Sequence, residues 1–243
     1  MIERGCFMID CSLCLAFFII GTGMQLGQQD NYKTEREEMV LNQITLRGVR
    51  DPNVIEAMRK IPRHLFVPEN LQYLAYTDSP LPIGYGQTIS QPYMVAFMTE
   101  AARIAPEAKV LEIGTGCGYQ AAILSQICKQ VYTIEIIKPL VEDASKLLKE
   151  LGYLNIHVRY GDGWEGWPQK APFDAIIMTA APQNLPQPIL VQLKMGGTLL
   201  IPMGEMPNQS LIRYTKIEEG LKEEVLMPVR FVPMTGKAQK IDF

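Results

Sequence analysis

The sequence predicts a doubly wound α/β fold, in which a mostly parallel sheet carries helices on both faces and ends in an antiparallel pair of strands. Two observations lead to this prediction. From residue 109 onward, short apolar runs typical of buried strands alternate with longer segments typical of helices. The first of these runs leads directly into a glycine-rich turn, the place where such sheets bind ligands. Together they indicate a Rossmann-like sheet.

The composition is that of a globular protein with one large core. The chain has 243 residues, of which 47% are hydrophobic and 20% charged, so it is too apolar to be disordered. Its net charge of −3 provides no broad cationic surface for nucleic acid. The spacing of the five cysteines is that of neither a disulfide framework nor, with the two histidines, a metal site. We therefore expect no nucleic-acid partner and no metal.

Residues 1–38 are predicted to be an N-terminal extension, and residues 39–243 a single domain. Residues 11–20 are nearly all apolar and precede small residues, as in a signal peptide, but they are too few to cross a bilayer. The usual positive charge before such a segment is missing, because two acidic residues accompany one arginine. A start codon assigned too early, with Met24 or Met39 as the true first residue, explains the pattern equally well.

Residues 39–106 are predicted to contain three helices and a long loop. Apolar residues recur at helical spacing on both sides of Asp51-Pro52, which suits a helix start. Residues 62–91 are rich in proline and glycine and are expected to be mostly loop, and an ordered loop of this length is usually functional. Ser90 is a suitable N-cap for the helix that follows it.

Strands and helices then alternate. Strands are expected at residues 109–113, 131–135, 156–160, 173–179 and 197–202, with a closing pair at 211–217 and 224–232. Helices are expected between them at residues 119–128, 139–151 and 187–193. Alternation of this kind places parallel strands side by side with helices packed over them.

The glycine-rich turn is the candidate ligand site. The first strand runs into the sequence Gly-Thr-Gly-Cys-Gly at 114–118, and a helix follows. Glycines there permit a tight turn and let a ligand approach the backbone at the helix N-terminus. Glu135 ends the next predicted strand, about 20 residues after Gly114, where a carboxylate can accept both hydroxyls of a ribose. The combination indicates a ligand that contains adenosine.

The spacing of the glycines separates two classes of cofactor. A dinucleotide site has the pattern G-x-G-x-x-G, but here the third glycine comes one residue early and Glu112 precedes the first. An anion beside the turn disfavours a pyrophosphate. The pattern Glu-x-Gly-x-Gly-x-Gly resembles the first motif of class I S-adenosylmethionine-dependent methyltransferases, whose ligand carries a cationic sulfonium and amine. Gly161-Asp162-Gly163 supports this interpretation, although the same triplet is also a common turn.

Longer segments resemble one family of these enzymes, the protein-L-isoaspartate O-methyltransferases. They are RHLFVP at 63–68, LPIGYGQTISQP at 81–92, APFDAII at 171–177 and VRFVP at 229–233. The resemblance covers nearly the whole domain and implies methyl transfer from S-adenosyl-L-methionine to the free α-carboxylate of L-isoaspartyl residues in damaged proteins. The ester then collapses to a succinimide, which hydrolyses partly to normal aspartate.

The resemblance also implies which residues form the site. Ser90 is implied as the active-site residue, and Ile89 and Ser90 as substrate contacts. The residues implied to bind the cofactor are Thr88, Ser90, Gly114, Gly116, Glu135, Asp162, Gly163 and Thr235. In this family the aspartate of the Gly-Asp-Gly turn bonds the adenine amine.

The implied reaction agrees with the shortage of histidines. A carboxylate with an ordinary pKa near ~4 is already ionised at neutral pH, so no general base is needed to produce the nucleophile. Alignment of oxygen, methyl carbon and sulfur is the remaining task, and positioning supplies roughly 7–11 kcal/mol in well-oriented systems. We expect Ser90 to orient the acceptor carboxylate rather than to attack. Residues 77–89 are expected to bind the flanking peptide through backbone hydrogen bonds.

Three other functions stay open at this point. A class I methyltransferase acting on a small-molecule acid would leave residues 88–92 unexplained, and a non-catalytic protein with the cofactor fold would not need Ser90. A nicotinamide oxidoreductase is disfavoured by the glycine spacing. The expected partners are isoaspartyl-containing proteins and peptides, and the chain is expected to be a monomer. Its expected location is cytoplasmic, or exported if residues 1–23 act as a signal peptide; membrane association would require that segment to be retained.

Overall fold

The computed structural model describes Met1 and residues 31–239 of the chain. From Tyr32 onward these residues belong to one structural unit. The signal-like segment at residues 11–20 lies outside the described residues. Across residues 31–239, none of the helices has the length and apolar character needed to span a bilayer.

A seven-stranded sheet forms the centre of the unit. Its strands are β3 Lys109–Ile113, β4 Gln130–Glu135, β5 Ile156–Tyr160, β6 Phe173–Met178, β7 Leu193–Met203, β8 Gln209–Ile217 and β9 Gly220–Val229. They follow the spatial order β5-β4-β3-β6-β7-β8-β9. Strands β3 to β7 pair in parallel, whereas β8 pairs antiparallel with both β7 and β9. The predicted doubly wound sheet with a closing antiparallel pair is therefore confirmed, and the predicted strands agree with the observed ones to within about four residues.

Six α-helices are present in the described part of the chain. They are α1 Lys33–Glu38, α2 Pro52–Lys60, α3 Pro92–Ala101, α4 Tyr119–Ser125, α5 Lys138–Glu150 and α6 Gln187–Gln192. A π-helix, Met39–Thr45, follows α1 without a break. Asp51 caps α2, because its carboxylate accepts hydrogen bonds from the N–H groups of Asn53 and Val54.

The sheet is buried on both faces, as its apolar strands predict. Successive side chains on a strand point to opposite faces. Val110 accordingly packs with side chains of α3 and α4 in one core cluster. Its neighbour Leu111 packs with Ile189 of α6 in another. A third cluster joins α2, α4 and the π-helix to the segment before β3.

The segment expected to be mostly loop contains a β-hairpin. Strand β1 (Leu81–Gly84) pairs antiparallel with β2 (Gln87–Ile89). The two turn residues, Tyr85 and Gly86, both have positive φ angles of 54° and 71°, the conformation of a type I′ turn that matches the twist of a hairpin. The rest of this segment forms two short 3₁₀ turns, Arg63–Phe66 and Glu69–Leu74.

The predicted N-cap of α3 is wrong by one residue. The cap is Gln91 rather than Ser90, and its side chain makes no capping hydrogen bond. The reason is that Pro92 occupies the first helical position, where its fixed φ fits and its missing N–H costs nothing. Ser90 is thereby left outside the helix.

The strand order positions the site. The chain runs from β3 outward through β4 to β5 and then returns to the other side of β3 as β6. The connections leaving β3 and β6 therefore diverge at the carboxyl ends of these adjacent strands. An open crevice at such a switch point is where doubly wound sheets bind ligands.

Candidate active site

A cavity of about 810 Å³ lies at the carboxyl ends of β3, β4 and β6. Its floor is formed by the ends of these strands and by the turns that leave them. Strand β2 and the beginning of α3 form one part of its wall, and residues 227–235 form another. Among the described residues no group of three or more His, Cys, Asp and Glu side chains is arranged to hold a metal ion.

The glycine-rich turn leaves β3 in a conformation that requires glycine. Gly114 has φ +98°, and a Cβ added there would collide with Oγ1 of Thr179. Thr179 holds this position because its hydroxyl donates to the carbonyl oxygens of Ile113 and Gly114, at 3.0 and 2.8 Å. Glycine is therefore required at 114 both by the positive φ and by the close packing of Thr179 against the turn.

Glu135 fixes the turn from the neighbouring strand. It is 6% exposed, and its Oε2 accepts a hydrogen bond from the backbone N–H of Gly116 at 2.9 Å. Its Oε1 accepts from the N–H groups of Ile136 and Ile137, each at 2.9 Å. Three backbone donors thus hold the carboxylate in one orientation at the cavity edge.

Glu112 is a second carboxylate at the cavity, and it is fully buried. Neither of its oxygens has a hydrogen-bond partner among residues 31–239. Thr133, its neighbour in register on β4, bonds instead with the hydroxyl of Thr115 at 2.7 Å. Burial raises the pKa of the Glu112 carboxyl to about 8, and the negative charge of Glu135 adds to the rise.

Ser90 lines the cavity directly after strand β2 of the hairpin. Its backbone carbonyl accepts a hydrogen bond from Nη2 of Arg63 at 2.7 Å. No residue within 31–239 is hydrogen-bonded to its hydroxyl, so that group is available to a ligand. The hairpin also approaches the turn, since a Cβ at Gly116 would lie 3.2 Å from Cδ1 of Ile83.

Asp162 has a structural role that the sequence did not indicate. Its Oδ1 accepts from the N–H of Trp164 at 3.0 Å, and its Oδ2 accepts from the N–H of Lys237 at 2.8 Å. The carboxylate thereby ties the turn after β5 to the C-terminal segment. Asp162 is not among the residues that line the cavity, whereas its neighbour Gly163 is.

The structure brings most of the sequence-predicted residues together. Those that line the cavity are Thr88, Ile89, Ser90, Gly114, Gly116, Glu135, Gly163 and Thr235.

Two arginines that were not among the predicted site residues also line the cavity. Arg47 pairs with Asp78 and lies over the ring of Tyr93, with Cζ 3.5 Å from the ring centroid. Arg230 is exposed and has no ion-pair partner in the described part of the chain. Neither lies near the glycine motif in sequence, so only the fold reveals their position.

Comparisons with known proteins agree with this site. The family model described as protein-L-isoaspartate(D-aspartate) O-methyltransferase matches residues 34–239. A protein-L-isoaspartate O-methyltransferase from Synechococcus sp. is 55% identical over 212 residues, covering 84% of this chain and 87% of the relative. One from Picosynechococcus sp. is 55% identical over 201 residues, covering 83% and 90% of the two chains.

Two solved structures share the fold. One, a protein-L-isoaspartate O-methyltransferase, superposes with a TM-score of 0.76 at 28% identity and covers 84% of this chain and 67% of its own. The other, described as a putative enzyme of this kind from Plasmodium falciparum in complex with S-adenosyl-L-homocysteine, has a TM-score of 0.72 at 24% identity, with 82% and 98% covered. The matched residues include the whole cavity, and the chain belongs to the protein-L-isoaspartate(D-aspartate) O-methyltransferase family.

Proposed function

We propose that this chain transfers a methyl group from S-adenosyl-L-methionine to the free α-carboxylate of L-isoaspartyl residues in damaged proteins and peptides. The single observation that carries the proposal is the division of the cavity. Two buried carboxylates, Glu112 and Glu135, lie on its sheet side, and the unbonded hydroxyl of Ser90 lies on its hairpin side. The first side suits a cationic donor, whose charge would favour the ionised form of Glu112, and the second suits an anionic acceptor.

The residues present fit the donor. A buried carboxyl group without a hydrogen-bond partner, such as Glu112, keeps its proton up to about pH 8 unless a cation beside it favours the ionised form. A sulfonium and an ammonium are cations that can do so. Glu135 lies at the end of β4 and has lone pairs beyond those used by its backbone donors, which can accept ribose hydroxyls.

The assignments of individual residues form part of the proposal. Thr88, Ser90, Gly114, Gly116, Glu135, Gly163 and Thr235 bind the cofactor. Ile89 and Ser90 contact the acceptor. Asp162 accepts a hydrogen bond from the adenine amine, in addition to the two backbone bonds that it accepts within the protein. For that contact its carboxylate must turn a remaining lone pair toward the cavity beside Gly163.

In the reaction, an oxygen of the acceptor carboxylate forms a bond to the methyl carbon while the carbon–sulfur bond breaks, so that the sulfonium becomes a neutral thioether and the acid a methyl ester. The donor when bound supplies an already activated methyl group. Ser90 donates its hydroxyl to the second carboxylate oxygen and fixes its direction. The ordinary pKa of the acceptor, about 4, makes a base unnecessary. The chain's contribution is thus alignment and exclusion of water.

The hairpin is proposed to bind the peptide that flanks the damaged residue. Strands β1 and β2 form a two-stranded sheet, with no third strand beside them in the described residues. A peptide added to an outer edge would be held by backbone hydrogen bonds, which do not depend on side-chain identity. Tolerance for many sequences around the isoaspartyl residue would follow. We further propose that the chain acts as a monomer in the cytoplasm, without nucleic acid or metal.

The test is methyl transfer from radiolabelled S-adenosyl-L-methionine to paired peptides that differ only in an isoaspartyl or aspartyl linkage. We expect base-labile label on the isoaspartyl peptide and none on its partner. Equal labelling of both peptides, or labelling only of small carboxylic acids, would contradict the proposed acceptor. Cofactor binding by calorimetry without turnover on any acceptor would instead indicate a non-catalytic protein.

A further inference from the structure

Arg63 is a buried cation that no carboxylate compensates within residues 31–239. It is fully buried in the 3₁₀ turn before the hairpin. Its Nε donates to the carbonyl oxygen of Ala75 at 2.7 Å, and its Nη2 donates to that of Ser90 at 2.7 Å. Its Nη1 has no hydrogen-bond partner in the described residues. A guanidinium in such surroundings stays charged, although burial lowers its pKa.

The position of this cation is unusual for a purely structural arginine. Buried charges are normally paired, because an isolated one has lost its hydration without a compensating charge. Here the guanidinium meets two carbonyl dipoles and the ring of Tyr119, whose centroid lies 4.9 Å from Cζ. These neighbours offset only part of the loss of water. A further negative charge nearby would therefore be favoured.

Two of the three neighbours of Arg63, Ser90 and Tyr119, belong to the cavity wall. Ser90 lines it at the end of the hairpin, and Tyr119 lines it at the start of α4, directly after the glycine turn. Arg63 itself does not line the cavity but contacts both of these segments. Its positive charge therefore lies next to the hairpin side of the cavity, whereas Glu112 and Glu135 lie on the sheet side.

We propose that Arg63 is a positioning residue that holds Ser90 through its carbonyl oxygen and whose uncompensated charge selects an anionic acceptor. This inference rests on the proposed function. The acceptor loses its negative charge on methylation, so attraction to Arg63 strengthens binding of the acceptor more than it stabilises the transition state. The fixed geometry of Ser90 acts on the alignment step instead. The effect of the Arg63 charge on acceptor binding and the effect of the Ser90 geometry on turnover can therefore be measured separately.

The test compares two peptides on the protein saturated with S-adenosyl-L-homocysteine. One carries an isoaspartyl residue, and the other carries the same linkage with the α-carboxylate replaced by a neutral α-carboxamide. We expect the wild-type protein to bind the carboxylate peptide at least about tenfold more tightly. In Arg63→Met and Arg63→Gln the ratio of the two affinities, carboxylate peptide to carboxamide peptide, should fall below about threefold. The KM for the isoaspartyl peptide should rise by a larger factor than kcat falls.

Arg63→Lys separates the two roles. Lysine keeps the charge but cannot reach both carbonyl oxygens with a planar fork, so the ratio should persist while kcat falls on the order of tenfold. Should neither neutral variant fold, Arg63→Lys decides alone: a wild-type kcat would overturn the inference. The matched control is Lys146→Met, which removes an exposed cation on α5 outside the cavity. We expect its ratio of affinities to stay within about threefold of the wild type, because water screens exposed charges. Arg230→Met, which removes the exposed cation that lines the cavity, is measured alongside.

A structural role alone predicts that both peptides weaken together in Arg63→Met, with the ratio unchanged, and that result would overturn the inference. So would loss of the ratio in Arg230→Met but not in Arg63→Met. Failure of the proposed function is a different outcome, because the wild-type protein would then methylate no isoaspartyl peptide at all.

Discussion

The backbone N–H of Gly116 donates a hydrogen bond to Oε2 of Glu135 at 2.9 Å, and this bond joins the turn after β3 to the end of β4. The donor and acceptor lie 19 residues apart in the chain. Parallel pairing of β3 with β4, in which Ile113 is opposite Ile134, brings them together. The glycine turn and the acidic residue after it thus form one rigid unit rather than two independent features.

Glu135→Gln should weaken both cofactor binding and folding. The amide has only one acceptor oxygen, so its NH₂ group would face at least one of the three backbone donors that the carboxylate now accepts. We expect a loss of about 1–3 kcal/mol in the free energy of unfolding and at least a roughly tenfold rise in the Kd for S-adenosyl-L-homocysteine. Urea titration and calorimetry measure the two quantities. Glu142→Gln, on the exposed face of α5, is the matched control and should change neither.

Ser90→Ala should reduce turnover without reducing stability. Its hydroxyl makes no bond within the described chain and is not the cap of α3, so its removal leaves no buried group unsatisfied. We expect kcat on an isoaspartyl peptide to fall by roughly 10- to 100-fold, with the Tm within about 2 °C of the wild type.

Ser79→Ala is the control for the serine substitution, because within residues 31–239 the Ser79 hydroxyl interacts only with Thr77, at an exposed position. A drop in Tm for Ser90→Ala with unchanged kcat would show that the serine supports the fold and does not orient the acceptor.

The sequence predicted the sheet better than the site. Strand β3 and its glycine turn were predicted correctly because their signals, an apolar run and glycines with positive φ, are local. The roles of Glu112 and Arg63 were not predicted. Glu112 was used only as a charge near the turn, and nothing in a sequence shows that neither of its oxygens has a partner. Arg63 reaches Ser90 across 27 residues, through a loop whose hairpin the sequence did not reveal.

Glu112 should make stability depend on pH between about 5 and 8. Its folded pKa of about 8 lies above its ordinary value of 4.5, so within this range the unfolded chain is ionised while the folded protein holds a proton. The contribution of this group to the free energy of unfolding is therefore full below pH 4.5 and is lost as the pH rises toward 8, by at most about 1.4 kcal/mol per pH unit.

The measurement is the difference in unfolding free energy between wild type and Glu112→Gln at several pH values. Other titrating groups are common to both proteins and cancel, so the variant should gain stability relative to the wild type as the pH rises from 5 to 8. A difference that does not change with pH would mean that Glu112 has an ordinary pKa in the folded protein. Glu107→Gln, an exposed acid paired with Lys129, should show no such trend.

Asp162 should affect the fold and the recognition of adenine in ways that can be separated. Asp162→Ala removes the acceptor for Trp164 and Lys237, and we expect a loss of about 1–2 kcal/mol in unfolding free energy whether or not a ligand is present. If the carboxylate also accepts from the adenine amine, the wild-type protein should prefer S-adenosyl-L-homocysteine to its inosine analogue by roughly tenfold, and the variant should not. Equal preferences in both proteins would leave Asp162 with its structural role alone.

The domain boundary predicted at Met39 can be tested by comparing two shortened chains, residues 31–243 and residues 39–243. The described unit includes helix α1, and Arg36 on this helix is only 7% exposed. Its Nε donates to the carbonyl oxygen of Arg59 at 2.6 Å, and its Nη1 donates to the hydroxyl of Tyr76 at 3.3 Å. A chain that starts at Met39 loses both bonds, so the carbonyl oxygen of Arg59 and the hydroxyl of Tyr76 lose these donors. We expect the 39–243 chain to be less stable than the 31–243 chain by about 1–3 kcal/mol, measured by urea unfolding.

Because Tyr76 also bonds His64 at 2.8 Å, next to Arg63, the shorter chain should lose affinity for the isoaspartyl peptide as well. Equal stability and equal peptide affinity in the two chains would support the boundary at Met39, and with it Met39 as a workable first residue.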